Sequence, residues 1–303
     1  MSECIKYNEK SIVRDTADPS NIQIFDKTGP QFQIIQGDAL TSLKNIQSNI
    51  FQCCITSPPY WGLRDYGING QIGAEPTLDE YITNIVEIFR EVRRVLTDDG
   101  TLWINIGDTY TSGNRKWRDY DRKNSNRGMN YRFPTPEGLK QKDLIGLPWR
   151  IAFELQKDGW FLRSDIIWHK TNCQPESVKD RPTKSHEYLF LLTKSPNYYY
   201  DYESIREPTK NGKGLRNKRT VWSIPTESNK FAHVAMFNKA LVEPCIKAGS
   251  KEGDLLLDPF FGSGTMGIVA LELNRNVVGI ELNPDYVNIA ANRLCDSVKR
   301  MMK

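Results

Sequence analysis

Two short segments, far apart in a chain of 303 residues, hold residue types and spacings that could do chemistry. The later one reads Asp258-Pro-Phe-Phe-Gly-Ser-Gly-Thr-Met-Gly267. Gly262, Gly264 and Gly267 match the GxGxxG pattern of nucleotide-binding turns, and Glu281 ends the next apolar run, where an acid would hold ribose hydroxyls. By itself the pattern admits three explanations: a dinucleotide site, a nucleoside cofactor without a pyrophosphate, or a tight strand-to-helix turn that glycine permits sterically. In the dinucleotide version the glycines follow the strand directly and the helix N-terminus meets the pyrophosphate. Here Asp258 and Pro259 intervene, so a carboxylate stands at the strand's end. It would repel a diphosphate and attract an ammonium. S-adenosylmethionine, with an α-amino group, a sulfonium and no phosphate, suits that arrangement better than a dinucleotide.

The earlier segment follows the apolar run FQCCIT and reads Thr56-Ser57-Pro58-Pro59-Tyr60-Trp61. Two consecutive prolines lack N–H donors, so they stop a strand, stiffen the chain and leave carbonyls free to accept. With a serine before them and two aromatics after, they would form a small rigid pocket. Such a pocket suits a planar heterocycle bearing an NH₂ group, which donates to the Ser57 oxygen and the Pro58 carbonyl while Tyr60 stacks on the ring. An amine of that kind is inaccessible inside a duplex, so the base would be flipped out. The plain structural alternative is a proline-rich corner with a packing tyrosine. Cys53 and Cys54 lie upstream inside the apolar run, placed for packing rather than for nucleophilic attack, which argues against methyl transfer to cytosine C5.

These segments need a scaffold, and the chain supplies alternating strand and helix patterns. QFQIIQG (31–37), FQCCIT (51–56) and TLWINIG (101–107) read as strands. Between them, Leu78 to Leu96 repeats apolar residues at helical spacing, with Ile82, Ile85, Val86, Phe89, Val92 and Val95, and should stop at Asp98-Asp99-Gly100. Pro148 opens a helix to about Lys157, followed by strands DIIWHK (165–170) and EYLFLLTK (187–194). At the C-terminal end come LLLDP (255–259), the glycine-rich turn, the helix MGIVALELN, the strand VVGIEL (277–282) and a last helix from Pro284. Repeated βα units imply a doubly wound, mainly parallel sheet with helices on both faces. Residues 108–143 and about 201–238 lack periodicity.

The composition, 39% hydrophobic and 26% charged, fits one globular domain. No apolar run is long enough to span a bilayer, the N-terminus has no secretory core, and six scattered cysteines without a CxxC pair point to a reducing cytosol and no metal. His169 and His186 have no partner spacing for a metal and read as hydrogen-bonded structural residues. The net charge of +4 is unevenly spread. Residues 109–143 hold nine Lys/Arg against four Asp/Glu, and residues 206–220 hold six against one, which leaves an acidic remainder. Two basic segments on an acidic body suggest a polyanionic partner.

Taken together, Thr56-Ser-Pro-Pro-Tyr60 and Asp258-Pro-Phe-Phe-Gly-Ser-Gly-Thr265 resemble the catalytic and cofactor motifs of bacterial and phage DNA amino-methyltransferases. Their order, catalytic motif first, resembles the permuted β group. Gly37-Asp38-Ala39, Asn105 to Thr109, Leu147 to Lys170, Ser185 to Asp201 and His233 to Phe237 resemble further segments of that family, so the likeness spans most of the chain. It departs at Asn238, where the family pattern has proline. The resemblance implies a Rossmann-like methyltransferase fold with a seven-stranded sheet and a small irregular DNA-recognition lobe. It also implies one permuted catalytic domain over 1–303, with a catalytic half at about 31–200, a cofactor half at about 230–297, and DNA-contacting insertions at 109–143 and 202–230.

It places S-adenosylmethionine among Asp38, Ala39, His233, Phe237, Asp258, Pro259, Phe260, Gly262, Ser263, Gly264, Thr265, Glu281 and Asn283, with Asp38 on the adenine amino group. Ser57, Pro58, Pro59 and Tyr60 become the catalytic group for direct in-line transfer without a covalent enzyme intermediate. In the resembling family, serine at position 57 accompanies cytosine N4 and Asp or Asn accompanies adenine N6, so cytosine is the expected base. An adenine-N6 enzyme and a DNA-binding protein that keeps the fold without catalysis are the other readings. Duplex DNA is the expected partner, with a companion restriction endonuclease compatible with the type, in a monomer or homodimer of the prokaryotic cytosol. Its contacts would come from Arg115, Lys116, Arg118, Arg122, Lys123, Arg127 and Arg132, interleaved with Trp117, Tyr120, Tyr131 and Phe133, and from Arg216, Lys218 and Arg219.

Overall fold

Short apolar runs joined by amphipathic stretches can bury both faces of a sheet only if helices cover each side. The computed structural model describes residues 12–13, 30–111, 133–227 and 237–301. Its strands are β1 (Ile12–Val13), β2 (Phe32–Gln36), β3 (Phe51–Thr56), β4 (Leu96–Ile106), β5 (Phe161–His169), β6 (His186–Thr193), β7 (Glu207–Pro208), β8 (Leu215–Arg216), β9 (Val221–Ser223), β10 (Leu255–Asp258) and β11 (Asn276–Glu281). Nine of these form one sheet in the order β1-β2-β11-β10-β3-β4-β6-β5-β9, and β7 pairs with β8 separately. The expected seven strands are present, extended at the edges by the two-residue β1 and the three-residue β9. Pairing is parallel from β1 through β4, and β6 runs antiparallel to both its neighbours.

Helices α1 (Ala39–Lys44), α2 (Leu78–Val95) and α3 (Leu147–Lys157) pack on one face. Helices α4 (Lys239–Gly249), α5 (Thr265–Glu272) and α6 (Pro284–Met301) pack on the other. The two-residue period of β3 divides the cores: Cys54 belongs to the first and Cys53 and Ile55 to the second. Helix α2 buries Tyr81, Ile85, Phe89, Val92 and Val95 along one stripe, and Thr77 caps it by accepting from the Glu80 N–H at 3.2 Å. No helix among the described residues is long and apolar enough to cross a membrane.

Two expectations are corrected. The Asp98-Asp99-Gly100 stretch does not form a helix stop. α2 ends at Val95, Leu96 is already extended, and the stretch lies inside β4 as an irregularity between the Phe51–Leu96 and Cys53–Thr101 pairs. The stretch at 201–238 is not wholly irregular either. It contains the β7–β8 ribbon and β9, whose Trp222 is buried, but strands of two or three residues are too short to show a period.

The topology makes a site at the carboxyl ends of β3 and β10. These strands are parallel neighbours, yet the chain leaves β10 through α5 toward β11 and leaves β3 through α2 toward β4. Where successive connections diverge in this way, an open α/β sheet has its ligand crevice. The turn after β10 is fixed by two glycines. Gly264, at φ 75°, provides the left-handed residue that starts α5. Gly279 in β11 leaves room for the buried Phe261 ring, whose Cγ would stand 2.2 Å from any Cβ there.

Candidate active site

A cleft opens at the carboxyl ends of β2, β3, β10 and β11. Both sequence motifs reach it: Ser57 and Pro59 from the first, Pro259, Phe260 and Gly262 from the second. Asp38 and Ala39 line it from the end of β2, and Glu281 and Asn283 from the end of β11. The described lining includes two carboxylates, Asp38 and Glu281, and no lysine, arginine or histidine. Among the described residues no side-chain cation faces the cleft, and its two carboxylates suit a cationic nucleoside better than a diphosphate. Asp38 uses one carboxylate oxygen to cap α1, accepting from the Thr41 N–H at 2.8 Å. Glu281 accepts from the Gly262 and Asn283 N–H groups, each at 2.7 Å, and burial raises its pKa against these bonds.

Other expected cofactor residues stand behind the wall. Asp258 is 3% exposed, and its Oδ1 accepts from Thr56 Oγ1 at 2.6 Å and from the Phe260 N–H at 3.0 Å. This bond ties the strand end before Ser57 to the strand end before Pro259. Burial pushes the Asp258 carboxyl up to about 7, partly opposed by those two donors. Ser263 and Thr265 are buried against α6, where Arg293 Nη1 donates to the Ser263 carbonyl at 2.5 Å and to its hydroxyl at 2.7 Å. Gly264 packs against Ala290 there. Phe237 packs on the second core. Asn238 follows it as the N-cap of α4, accepting from the Ala240 N–H at 2.8 Å and donating to the Pro225 carbonyl at 2.6 Å. His233 lies outside the described residues.

In the Ser-Pro-Pro-Tyr segment, Pro58 is buried and the Pro59 carbonyl accepts from the Tyr81 hydroxyl at 2.8 Å. The Tyr60 hydroxyl lies 3.4 Å from Ser57 Oγ and donates to Glu187 Oε2 at 2.9 Å. Asn105 Nδ2 bridges the same two oxygens, at 2.8 Å from Glu187 and 3.3 Å from Tyr60. Lys170 completes the cluster with a short ion pair to Glu187 Oε1. Burial, and then the Glu187 charge, hold the Tyr60 phenol well above its ordinary pKa, so it remains a neutral donor. The motifs did not mark Glu187, Asn105 or Lys170 for this role. The available signal was Asn105, a polar residue 1% exposed within the apolar run of β4. Cys53 and Cys54 are buried packing residues, with burial pushing the Cys53 thiol up to about 12.

Of the expected DNA-contacting residues, Arg115, Lys116, Trp117, Arg118, Tyr120, Arg122, Lys123, Arg127, Tyr131 and Arg132 lie outside the described residues. Phe133 stacks on Trp61 at 5.0 Å between ring centres. Arg216 and Arg219 both contact Glu207, at 2.9 and 3.0 Å, and the Lys218 ammonium lies 4.8 Å from the centre of the Trp222 ring. These three cations therefore already have partners within the chain. His169 Nδ1 lies 3.0 Å from Ser223 Oγ, and His186 packs edge-on against Tyr188.

A family model described as DNA methylase, for the N6/N4 methyltransferases, matches residues 51–292. The type II methyltransferase M.SmaI of Serratia marcescens is 58% identical over 91% of this chain and 97% of its own. M.Cfr9I of Citrobacter freundii is 60% identical over 86% of this chain and 87% of its own. A putative DNA modification methylase of Thermus thermophilus, solved with S-adenosyl-L-methionine, superposes with a TM-score of 0.61 at 26% identity, covering 88% of this chain and 93% of the other. The cytosine-N4-specific PvuII DNA methyltransferase shares the fold, with a TM-score of 0.64 at 17% identity over 96% of this chain and 94% of the other.

Proposed function

Since the chain belongs to the N6/N4 family of DNA methylases, we propose that it transfers a methyl group from S-adenosylmethionine to N4 of cytosine in duplex DNA. The observation that carries this reading is one cleft that holds Ser57 and Pro59 beside two carboxylates, with no cationic side chain among the described lining residues. The residues present fit that cofactor. Glu281 offers its oxygens to ribose hydroxyls, Asp38 its second oxygen to the adenine amino group, and Asp258 a negative charge behind the turn for the α-ammonium. When bound, S-adenosylmethionine supplies an electrophilic methyl group on a sulfonium. The motif order, with Ser57 before Asp258, supports placing the chain in the permuted β group.

The chain's own residues position the target amine and stabilise its developing positive charge. Ser57 Oγ accepts from the amine, and the Pro58 carbonyl, to which no described residue donates, accepts its second N–H. The Tyr60 ring stacks on the flipped base, its orientation fixed through its hydroxyl by Glu187 and Asn105. The amine lone pair would attack the methyl carbon in line as the S–CH₃ bond breaks with its electrons staying on sulfur, leaving the thioether S-adenosylhomocysteine. The methylated amine then gives one N–H proton to solvent, so no covalent enzyme intermediate forms. Ser57, rather than Asp or Asn, supports cytosine, and adenine N6 is the second reading within the same family. The basic segments at 109–143 and 206–220 are proposed to contact DNA, with a cytosolic setting beside a cognate endonuclease following from the type II relatives. Incubating the chain with duplex DNA and cofactor labelled in the methyl group should move label onto the DNA, with no inhibition by NAD. Absence of transfer from a folded, cofactor-binding chain would overturn the assignment.

A further inference from the structure

Five of the cleft-lining residues, Tyr66, Ile68, Gly70, Gln71 and Ile72, come from the segment between β3 and α2, which neither motif includes. The segment leaves the sheet after β3, yet Tyr66 meets Tyr286 of α6 edge to face, with ring centres 6.4 Å apart at 83°. Helix α6 follows β11, and β10 lies between β11 and β3 in the sheet. At about 4.8 Å per strand, the segment therefore crosses roughly 10 Å over the tips of β10 and β11. Tyr66, Tyr286 and Glu281 line the same cleft, and burial raises both phenols.

The crossing segment is a built wall. The Gly62 N–H donates to the Gly73 carbonyl at 2.9 Å, closing its two ends on each other. Gln71 Oε1 accepts from the Tyr66 N–H at 2.8 Å, and its Nε2 donates to the Arg64 carbonyl at 3.2 Å. At the far end, Glu75 is 9% exposed and accepts from the Gly73 N–H at 2.8 Å and from Asn84 Nδ2 at 3.1 Å. An aromatic and aliphatic wall beside strand-end carboxylates matches a purine nucleoside, which has an apolar ring face and a polar rim. We propose that residues 62–73 form a cofactor-binding element, in which Tyr66 contacts the nucleoside half of S-adenosylmethionine beside Glu281. This deepens the methyltransferase reading and rests on it. Because the segment continues directly from Tyr60, the same stretch of chain also joins the nucleoside site to the catalytic group.

Calorimetric titration of the full chain with S-adenosylmethionine, and separately with adenosine, tests the assignment. Tyr66→Ala should weaken both ligands about tenfold, the scale of one aromatic stack on a base, whereas Tyr66→Phe should stay within about threefold of wild type. If Tyr66→Ala lowers the melting temperature of the free chain, Ile68→Ala decides, because it trims the wall and leaves the Tyr66–Tyr286 contact in place. It should weaken both ligands by roughly threefold or more, at about 0.8 kcal/mol per CH₂ removed from contact. Affinities indistinguishable from wild type in a folded Tyr66→Ala chain, or in Ile68→Ala where that variant decides, overturn the proposal. A folded wild-type chain that binds neither ligand overturns instead the cofactor reading beneath it.

Discussion

Tyr60→Ala is expected to lower the rate of methyl transfer by about 100-fold or more while leaving the affinity for S-adenosylmethionine near wild type. A base–aromatic stack contributes about 1–3 kcal/mol, and misplacing a reacting atom by an ångström costs a further factor on the order of 100. Tyr60 is not among the described residues that line the cleft proposed for the cofactor, so binding should survive its loss. Ser57→Ala removes the proposed acceptor, whose bond would strengthen as the amine gains charge, and should lose a similar factor. Graded variants separate stacking from alignment. Tyr60→Phe keeps the ring but loses the bonds to Glu187 and Asn105, and Glu187→Gln keeps the acceptor but leaves Lys170 without its carboxylate partner. Each should lower kcat by roughly tenfold, in proportion to one charge-assisted hydrogen bond, with little change in cofactor affinity. Single-turnover transfer of labelled methyl to DNA measures the series. Wild-type rates in Tyr60→Ala and Ser57→Ala would remove this pocket from the chemistry.

Asp258 gives a pH dependence with a defined sign. Its carboxyl is raised by burial from 3.8 to about 7, so between those values the folded chain keeps a proton that the unfolded chain has lost. Stability from this group therefore falls as pH rises from about 4 to 7, and above 7 the folded state bears a cost on the order of 4 kcal/mol for holding it ionised. Urea unfolding of the cofactor-free chain should show Asp258→Asn gaining on wild type across that range, with the difference levelling off above it. An α-ammonium nearby favours the charged form. Binding S-adenosylmethionine at pH 7 should thus release about half a proton, more near pH 6 and almost none at pH 9. Calorimetry in two buffers of different ionisation enthalpy reads this directly, and Asp258→Asn should abolish the release and weaken binding by about tenfold to 100-fold. Proton release equal in wild type and Asp258→Asn would show that this carboxylate does not meet the cation.

Much of the scaffold was legible because its signals are local. The periodic stripe of Leu78 to Val95, the runs that became β2, β3, β10 and β11, and the Pro148 and Pro284 helix starts all follow from neighbouring residues. The two motifs pointed to one crevice because each follows a strand, and a parallel sheet aligns those ends. What could not be read depended on distant pairings. Glu187 gains meaning only when β6 inserts antiparallel beside β4 and brings it to Tyr60. Tyr66 gains meaning only when its loop crosses two strand tips to reach Tyr286. The glycine-rich turn shows the reverse. Ser263, Gly264 and Thr265 match a cofactor motif by spacing, yet their places are set by α6 and Arg293 behind the wall.

The proposed reaction is methyl transfer to the exocyclic amine of cytosine. Its most direct test is the identity of the product nucleoside. Duplex DNA incubated with the chain and methyl-labelled S-adenosylmethionine is digested to nucleosides and separated by mass spectrometry. The label should appear in N4-methyldeoxycytidine. Label in N6-methyldeoxyadenosine would keep the cleft and its mechanism but overturn the base assigned from Ser57, and label in 5-methyldeoxycytidine would contradict direct transfer to an amine altogether.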